Sequence, residues 1–566
     1  MKKVKKRKPR KPPRRQAMKA RPRPPPPPSP PPPRPASAGL LERAAAALRA
    51  GDAQSALPLC RQALKSDPGN ADALNLAGAA AFQSGLAAEA LDLLQTAVAF
   101  APSHAEAGNN LGNVLSALGR DGEAEAAYRS AIAADPGYAD PWFNMAVLME
   151  KGGRNDEALA AYRKAAAMAP AHAGARLGQG NVAAALGRLE EARAAYDSAL
   201  ALDASSPEAL TNMAAVLQEL GDFEAAADHC RRALESAPEL GQARYNLGIA
   251  LQEKGEFEDA MAAYGRVLAD EPGHAAAALN IAVALQQTGR LEDAGAAFRR
   301  VLHMDPDFAK AHANFADLRL EQGEPEAALA VCDEFLARRP ADTAVLAYRA
   351  LALGDLGLAG EARALVDLER FLKLRTIPPP DAYADLAAFN EALARHVEGH
   401  PSLSPAPQSH ATREARHSGE LLGGGPVADL ETAIRAAADA YRRDLGSDPG
   451  HPWIAAAADE LVLSVWGVVM EGQGHQIPHI HPAAWLSGVY YARVPDFIAE
   501  RAGERAGWIE FGRPPGHFHN RARPETRAFR PEAGLMILFP SYFYHRTIPF
   551  RDPGTRVSIA FDLMPA

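Results

Sequence analysis

Small and apolar residues recur with a constant period of 34 residues along the first two thirds of the chain. In each period a glycine is followed five residues later by an alanine. A proline closes the period from Pro68 to Pro340, with Ala204 as the one exception. Glycine is favoured where a helix ends in a left-handed residue, alanine lets two helices approach closely, and proline stops a helix. The pattern predicts ten helix pairs between residues 37 and about 376. Their glycines are Gly51, Gly85, Gly119, Gly153, Gly187, Gly221, Gly255, Gly289, Gly323 and Gly357.

A repeat of this length resembles the tetratricopeptide repeat, a helix–turn–helix unit that stacks into an all-α solenoid. The resemblance implies that the first helix of each pair lines a concave groove, and that this groove binds a protein or peptide. The periodic frame also accounts for Cys60, Cys230 and Cys332, which occupy the slot that holds Tyr128 or Phe298 in other repeats. We therefore expect the cysteines to fill the core rather than to bind metal or form disulfides.

A column of asparagines also follows the period, each eight residues after the closing-proline position. It resembles the asparagine ladder of the O-linked N-acetylglucosamine transferase repeats, whose amides grip the backbone of an extended peptide. An amide offers both a donor and an acceptor, which suits a peptide group whatever its side chain. The column is interrupted at Gly178 and bounded by Leu76 and Tyr348. Solvated groove residues are the alternative interpretation. The six are Asn110, Asn144, Asn212, Asn246, Asn280 and Asn314.

The hydrophobic pattern changes after residue 376. Prolines 378–380 open a polar stretch that predicts a linker, with one helix from about Asp381 to Val397 that covers the end of the solenoid. A second helix is predicted at 426–446, because its apolar residues fall on one face. From Leu461 onward, short apolar or alternating runs predict strands at 461–470, 486–491, 507–511, 534–545 and 556–561.

Histidines stand beside two of these predicted strands. His479 and His481 are two residues apart in an extended segment, so both imidazoles point to the same side. Neutral imidazole binds Fe, Zn, Cu and Ni alike, so the pair indicates a metal site without identifying the metal. A third protein group is needed, and His545 at the end of another apolar run is the best candidate. Arg556 and Ser558 share one face of the last predicted strand.

Taken together, His-x-His-Pro, Ser-Gly-Val-Tyr-Tyr, Phe-Pro-Ser-(x)3-His and Arg-x-Ser-Ile-Ala-Phe resemble the Fe(II)- and 2-oxoglutarate-dependent oxygenases, in particular those fused to tetratricopeptide repeats. The resemblance covers roughly residues 378–566 and implies a double-stranded β-helix, or jelly roll. By position, His479 and His545 would bind iron. Arg556 and Ser558 would hold the far carboxylate of 2-oxoglutarate, with Tyr491 nearby. The implied reaction is hydroxylation, and the implied substrate is a protein or peptide recruited by the repeats.

One position departs from the family pattern. The iron is ordinarily held by two histidines and a carboxylate, and His481 stands where the carboxylate is expected. Three histidines, two histidines with water, and a degenerate site all remain open. A degenerate site would make the protein a non-catalytic adaptor. A cupin also uses His-x-His, but it normally has a glutamate where Trp485 or Leu486 stands here, and it has no need for Arg556 and Ser558.

A second His-x-His pair, His517 and His519, lies in the segment 512–530, which is rich in Arg, Pro and Gly. A loop is a poorer metal site than a strand, so this pair ranks below the first. The segment is predicted to be a lid or substrate loop, with a solvated surface loop as the alternative. Its arginines would favour an acidic substrate.

Charge is distributed unevenly. Residues 1–36 contain 14 Lys and Arg and no acidic residue, so a whole-chain charge of −8 leaves −22 for the remainder. The tail is also rich in proline, which predicts disorder. A solvated tail is the simpler interpretation, and weak contact of its basic residues with a polyanion is the alternative. No apolar run spans a bilayer, the tail is not a secretory signal, and the three cysteines suit a reducing compartment, so a cytoplasmic location is predicted. Four segments result: a tail at 1–36, the solenoid at 37–376, a linker with its capping helix at 377–420, and the jelly roll at 421–566.

Overall fold

The structure, a computed structural model, describes residues 36–406, 411–500, 503–551 and 554–566. The prediction for the basic tail therefore lies outside the described residues, apart from Ala36. The chain divides into two compact units, one ending at Asp135 and one beginning at Pro136. The first unit contains three helix pairs. The second contains seven further pairs and the whole β-rich domain.

The predicted ten helix pairs are confirmed. Their helices are α1 (Ala36–Arg49), α2 (Ala53–Ser66), α3 (Ala71–Gln83), α4 (Ala87–Phe100), α5 (Ala105–Ala117), α6 (Asp121–Ala134), α7 (Ala139–Lys151), α8 (Asn155–Met168), α9 (Ala173–Ala185), α10 (Leu189–Leu202), α11 (Pro207–Glu219), α12 (Phe223–Ser236), α13 (Gly241–Glu253), α14 (Phe257–Asp270), α15 (Ala275–Gln287), α16 (Leu291–Met304), α17 (Ala309–Glu321), α18 (Pro325–Leu336), α19 (Thr343–Asp355) and α20 (Ala359–Leu365).

The periodic residues have the roles that their chemistry predicts. All ten periodic glycines have φ between +70° and +81°, so the turn inside each pair depends on a left-handed residue that glycine adopts without steric cost. The turn after α10 forms although Ala204 replaces proline there. The three cysteines are free and fully buried in the second helices, as expected. No helix in the described ranges is long and apolar enough to cross a membrane.

The C-terminal domain is built on two antiparallel sheets, consistent with the predicted jelly roll. Its strands are β1 (Lys373–Thr376), β2 (Ser404–Pro405), β3 (Thr412–Glu420), β4 (Leu461–Gln476), β5 (Leu486–Arg493), β6 (Ile509–Phe511), β7 (Arg527–Phe529), β8 (Leu535–Pro540), β9 (His545–Thr547) and β10 (Thr555–Pro565). Seven strands form the larger sheet in the order β1-β8-β5-β10-β4-β3-β2, and the smaller sheet has the order β7-β6-β9.

Five short or medium helices accompany the sheets: α21 (Leu368–Phe371), α22 (Leu386–Glu398), α23 (Pro426–Leu445), α24 (Pro452–Ala455) and α25 (Phe497–Glu500). The helix predicted at 426–446 is present as α23, and α22 lies within the predicted linker. The linker also supplies β2 and β3, and β1 precedes it. The larger sheet therefore includes residues before 421, where the jelly roll was predicted to begin. These strands lie at or next to its edges and carry mostly polar side chains, so they lack the apolar alternation by which a strand is recognised.

Two tryptophans brace the segment that carries the first histidine pair. The rings of Trp453 and Trp485 are stacked with their centroids 4.8 Å apart. Each indole N–H donates to the backbone carbonyl of the other residue, at 2.7 and 3.0 Å. Trp485 immediately precedes β5, and its backbone N–H donates to the carbonyl of Leu563 in β10. This reciprocal arrangement fixes the chain between His481 and the sheet.

Two helical glycines of one repeat provide a matched test of packing. A Cβ added at Gly248 would lie 2.5 Å from Cε1 of the fully buried Tyr264, whereas one added at Gly265 would meet nothing within 4 Å. We expect Gly248→Ala to destabilise the repeats by about 1–3 kcal/mol through overpacking. We expect Gly265→Ala to stabilise them by about 1 kcal/mol through helix propensity. Thermal unfolding followed by circular dichroism measures both, and equal effects would contradict the packing described.

Candidate active site

The site is assembled by a backbone contact between the two sheets. His479 and His545 form an antiparallel bridge in which the N–H of each donates to the carbonyl of the other, both at 3.0 Å. His479 precedes β5 of the larger sheet, and His545 begins β9 of the smaller one. The predicted run 534–545 is therefore not a single strand. β8 ends at Pro540, and a turn redirects the chain before His545. The turn is what brings His545 across to the histidine pair.

The three predicted histidines lie together. The potential ligand atoms of His479, His481 and His545 are all within 4.8 Å of one another, and this is the one such group among the residues described. Each Nδ1 already contacts an oxygen that accepts hydrogen bonds. His479 donates to the Ile477 carbonyl at 2.8 Å, His545 donates to the Phe543 carbonyl at 3.0 Å, and His481 donates to a side chain described below. The other ring nitrogen, Nε2, is thereby left as the donor atom for a metal.

Burial keeps the imidazoles of His479 and His545 neutral. It lowers the pKa of His479 to about 3, with the neighbouring His481 adding to the effect. It also lowers the pKa of His545 well below its ordinary value, with His479 contributing next. The rings of Phe511 and Phe539 lie 6.0 and 4.6 Å from that of His545 and exclude water from one side. Neutral imidazole is the form that binds a metal ion, so this nitrogen donor set fits Fe(II).

Arg556 is a buried cation without a counter-ion. It is 2% exposed. Its Nη1 donates to the carbonyl of Gly507 at 3.0 Å, and its Nη2 donates to the hydroxyl of Thr547 at 2.9 Å. Among the described residues, no hydrogen-bond partner is found for its Nε, and no carboxylate forms an ion pair with it. An unpaired buried charge costs several kcal/mol unless a ligand supplies the opposite charge. The geometry therefore fits a ligand that carries a carboxylate.

Tyr491 and Ser558 complete this end of the site. Cζ of Arg556 lies 5.6 Å from the centre of the Tyr491 ring, and burial raises the pKa of the Tyr491 hydroxyl to about 12. Ser558 pairs with Tyr491 across β10 and β5 and is also buried. Its hydroxyl lies 3.5 Å from the Val468 carbonyl, at the limit of a hydrogen bond, so it can turn to a ligand. These three residues fit the far carboxylate of 2-oxoglutarate, as the resemblance implies.

All six of these residues line one cavity of about 820 Å³. Apolar walls are supplied by residues such as Val489, Ile509 and Phe539. Part of the rim comes from the repeats: Ala184 and Leu189 flank the turn between α9 and α10, and Glu219 ends α11. The cavity is thus bounded by the jelly roll on one side and by repeat helices on the other.

Sequence reasoning missed Asp562 and Thr547. The Asp562 carboxylate accepts from Nδ1 of His481 at 2.7 Å and from the hydroxyl of Ser487 at 2.6 Å, so it sets the tautomer of His481. Thr547 holds the guanidinium of Arg556. The signal for Asp562 was available, because residues 556, 558, 560 and 562 lie on the same face of β10 and all line the cavity. Thr547 could have been found in the same way, because it lies two residues after His545 in β9 and therefore on the same face of the strand.

The asparagine column lies on the first helices of the pairs. In the first unit, Asn110 donates to Asn75 at 2.8 Å. In the second unit, Asn212 donates to Asn181 at 2.9 Å and Asn280 donates to the Tyr245 hydroxyl at 3.3 Å. These bonds link neighbouring first helices, and each leaves the amide with further donor and acceptor capacity. Asn246 is the most buried of the six, and its amide oxygen accepts from Gln242. Asn144 and Asn314 are half-buried.

At the interruption of the column, a tyrosine ring fills the space beside Gly178. At Gly178 a Cβ would lie 2.5 Å from the ring of Tyr162, which belongs to the preceding repeat. The ring of Tyr162 is buried and therefore cannot move aside. Tyr128, Tyr196 and Tyr264 stand at the same spacing before Asn144, Asn212 and Asn280, so the tyrosine by itself does not exclude an asparagine from the slot.

The predicted lid segment has a different character from the one expected. Its arginines are largely neutralised: Arg513 pairs with Glu510, Arg527 with Glu369, and Arg530 with Glu532. The cavity rim instead carries carboxylates, among them Glu219 and Glu420. The expected preference for an acidic substrate therefore loses its electrostatic basis. His517 and His519 do not join the histidine cluster.

We expect Asp562→Asn to weaken metal binding about 10- to 100-fold, because an amide no longer favours the tautomer of His481 that presents Nε2. Titration with Co(II), followed by calorimetry, measures this without redox chemistry. Asp459→Asn, a fully exposed carboxylate of the same domain, is the matched control and should leave the affinity unchanged. Equal affinities in wild type and Asp562→Asn would mean that His481 does not depend on this contact.

The histidine pKa values predict how stability depends on pH in the metal-free protein. Below pH 6.5 the unfolded chain takes up a proton at His479, and the folded chain does so only near pH 3, so stability falls as the pH drops through this window. Each such group contributes up to about 1.4 kcal/mol per pH unit. Between pH 6 and pH 5, we expect His479→Gln to reduce the slope of the free energy of unfolding against pH by about the contribution of one histidine. Urea unfolding at the two pH values measures this slope. An unchanged slope would place the imidazole in a solvated setting.

Comparison with known families agrees with the geometry. Residues 464–562 match the family described as "Putative 2OG-Fe(II) oxygenase". Tetratricopeptide repeat profiles match residues 47–111, 105–138, 144–207, 205–270, 245–307 and 285–352. Comparison with the curated proteins gave no match.

Several solved structures are similar to parts of the chain. YrrB, described as a tetratricopeptide repeat protein with an unusual peptide-binding site, is 27% identical over 33% of this chain and 96% of its own, with a TM-score of 0.31. MamA is 26% identical over 28% of this chain and 94% of its own, with a TM-score of 0.26. PilF of Pseudomonas aeruginosa is 19% identical over 37% and 94%, with a TM-score of 0.33. On the family matches, this chain is a tetratricopeptide repeat protein with a C-terminal domain of the 2OG-Fe(II) oxygenase family.

Proposed function

We propose that the protein is an Fe(II)- and 2-oxoglutarate-dependent oxygenase that hydroxylates a protein or peptide held by its repeats. The observation that carries the proposal is the position of Arg556. A buried guanidinium without a counter-ion lines the same cavity as three imidazoles whose Nδ1 atoms are all engaged. A metal ligand set and an anion site in one cavity suit a chelating co-substrate that carries a second carboxylate.

Each residue has a defined task in this proposal. His479, His481 and His545 would hold Fe(II) through Nε2, with Asp562 keeping His481 in the required tautomer. Arg556 and Ser558 would hold the far carboxylate of 2-oxoglutarate, and Tyr491 would pack beside it. When bound, iron and 2-oxoglutarate supply the activation of O2. The protein contributes orientation and the exclusion of water, through apolar walls such as Phe539.

The rim of the cavity supports a peptide substrate. Glu219 on the rim and Asn212 in the asparagine column both belong to α11 and are seven residues apart, which places them on the same helix face. At 1.5 Å per residue the separation along the helix is about 10 Å. A chain held by Asn212, Asn246 and Asn280 would therefore run close to the cavity. Tetratricopeptide repeats bind proteins or peptides in general, and this arrangement would present one to the metal.

His481 favours a second candidate function. A histidine in place of the usual carboxylate is also what a domain that has lost turnover would carry, and the repeats would then act as an adaptor. The two functions differ in their need for metal. The adaptor predicts partner capture that His479→Ala and His545→Ala leave unchanged, together with a protein that binds neither Fe(II) nor 2-oxoglutarate.

The decisive measurement is an anaerobic titration with Fe(II) and then 2-oxoglutarate, followed by the charge-transfer absorption of the ternary complex. We expect the band in wild type. We expect Arg556→Lys, which keeps the charge but loses the planar fork, to need about 10- to 100-fold more 2-oxoglutarate. Arg551→Ala, an exposed arginine of the same domain, should titrate as wild type does. His481→Ala then tests whether His481 is a ligand, through the position and intensity of the band.

Absence of the band in folded wild-type protein, with no binding of either cofactor, would reject the oxygenase proposal in favour of the adaptor. A band in wild type that Arg556→Lys leaves unchanged would reject the assigned carboxylate site while keeping the metal site.

A further inference from the structure

The loop that joins β6 to β7, residues 512–526, lies against the last repeats. Its contacts reach α17 and α19, which are first helices of the ninth and tenth pairs. The loop therefore occupies the helix faces that the repeats would offer to a bound peptide. Three of its contacts resemble recognition of a peptide.

The first contact holds backbone. Asp355 ends α19, and its carboxylate accepts from two successive backbone N–H groups, those of Arg521 at 2.9 Å and Ala522 at 2.7 Å. These bonds do not depend on side chains, so any extended segment in this position satisfies them. The guanidinium of Arg521 lies directly over Gly323, where a side chain would collide with it.

The second contact is aromatic. The ring of Phe518 stacks on that of Tyr348 with a centroid separation of 5.0 Å and an interplanar angle of 18°. Phe518 also meets Tyr544 edge-on at 5.7 Å. Tyr348 holds the slot that the asparagine column uses in the earlier repeats. The column is therefore continued, at its end, by an aromatic platform.

The third contact is ionic and is poorly satisfied. His519 lies 3.5 Å from Asp317 and 3.6 Å from Glu321, beyond the length of a good hydrogen bond. Oδ1 of Asp317 is buried and has no hydrogen-bond partner, and burial raises the pKa of this carboxyl. The hydroxyl of Tyr544, a residue only 7% exposed, is likewise buried with no partner in the described structure. A buried acceptor and a buried hydroxyl are thus left for a ligand that fits better than His519 does.

These groups follow the face of the asparagine column. Asp317 and Glu321 are three and seven residues after Asn314 in α17, and Asp355 is seven residues after Tyr348 in α19. Spacings of three, four and seven keep residues on one side of a helix. A peptide that follows the column would therefore meet the same carboxylates and the same ring that now hold the loop.

We propose that Asp317, Glu321, Tyr348 and Asp355 form an anchoring subsite for a peptide in which an aromatic residue is followed by a basic one, and that the β6–β7 loop fills this subsite until such a peptide displaces it. The partner is thus a protein segment with an aromatic side chain on Tyr348 and an arginine or lysine between Asp317 and Glu321. The proposal rests on the peptide-binding role in the proposed function, and it does not depend on the iron chemistry.

The surroundings allow the exchange. A cavity of about 300 Å³ lies between the second half of the loop, from Asn520 to Glu525, and helices α19 and α20. The loop therefore has room to move without pressing on a filled core. At its root, the N–H of Gly512 donates to Tyr544, the residue before His545. Displacement of the loop would consequently change a hydrogen bond to the residue next to His545, a proposed metal ligand.

The test uses a fluorescent peptide with the sequence of residues 514–524, titrated with full-length protein that contains no metal and followed by anisotropy. Wild type should bind weakly, because its own loop competes. The double variant Phe518→Ala/His519→Ala removes the side chains at the aromatic and ionic positions and leaves only the loop backbone on Asp355, so its affinity for the peptide should be about 10-fold or more above that of wild type. In the peptide, replacement of the phenylalanine by alanine should reverse the gain, and arginine in place of the second histidine should bind several-fold tighter still.

Two further variants keep the test decisive. His519→Ala alone alters a side chain that is 38% exposed, so the fold should tolerate it, and it should raise peptide affinity. His517→Ala is the matched control in the same loop, and it should behave as wild type because, among the described aromatic rings, that of His517 contacts only the ring of Phe518. Asp355→Asn, added to the double variant, should abolish the gain.

If the double variant and His519→Ala, shown to be folded by circular dichroism, bind the peptide no better than wild type, the anchoring subsite is rejected. A gain that Asp355→Asn and the alanine peptide leave intact also rejects it, because binding would then lie elsewhere. Neither outcome bears on the iron and 2-oxoglutarate titration, so failure of this inference and failure of the proposed oxygenase are separately visible.

Discussion

The reciprocal pair of backbone hydrogen bonds between His479 and His545 is the contact on which the C-terminal site depends. It joins the end of the larger sheet to the start of the smaller one, and no other described bridge outside the strands does so. Because the bond involves the backbone of both histidines, their side chains are placed by sheet geometry rather than by flexible loops. The stacked Trp453 and Trp485 hold the same segment from the other side. A slip of one residue in this bridge would turn one imidazole away from the cavity.

The site contains buried polar side chains that the protein itself does not fully pair. Burial lowers the pKa of His479 and of His545, so both imidazoles stay neutral, and one guanidinium is buried without a counter-ion among the described residues. Such groups cost stability in the absence of a ligand, since desolvation is not repaid by pairing. Two neighbouring side chains hold these groups by hydrogen bonds. The Asp562 carboxylate accepts from His481, and the Thr547 hydroxyl accepts from Arg556. Nε of Arg556, a residue that lines the cavity, has no hydrogen-bond partner among the described residues. This distribution is what a binding site requires, and a structural core would avoid it.

The repeats and the jelly roll also make non-covalent contacts with each other. Repeat residues form part of the cavity rim, and the β6–β7 loop returns to α17 and α19. β6 pairs with β9, so the loop that contacts the repeats and the strand that carries His545 are neighbours. The loop contacts at the end of the repeats and the histidine cluster are thus joined structurally through one short sheet.

Local periodicity was enough to predict much of this molecule. A period of 34 with glycine at a left-handed turn specifies a helix pair, because each unit depends on contacts within itself and with its neighbours. Two-residue alternation was likewise enough to place His479 beside His481 and Arg556 beside Ser558, since a strand alternates regardless of its partners. The same alternation pointed to Asp562, although its role was not recognised. Gly178 could be seen as an exception in the column, but not explained.

What the sequence could not decide were the contacts between distant segments. The acceptor for His481 lies 81 residues away, and the partner of Phe518 is a tyrosine in another domain. The edge strands β1 and β3 have too little apolar pattern to identify, and they exist because a sheet already present offers them hydrogen bonds. The arginines of the segment 512–530 were visible in the sequence, but the pairing of Arg527 with the distant Glu369 was not. By itself the sequence determined the elements and the faces they present. Only the tertiary structure decided which faces meet, because long-range pairing depends on the whole packed chain and leaves no local periodic trace.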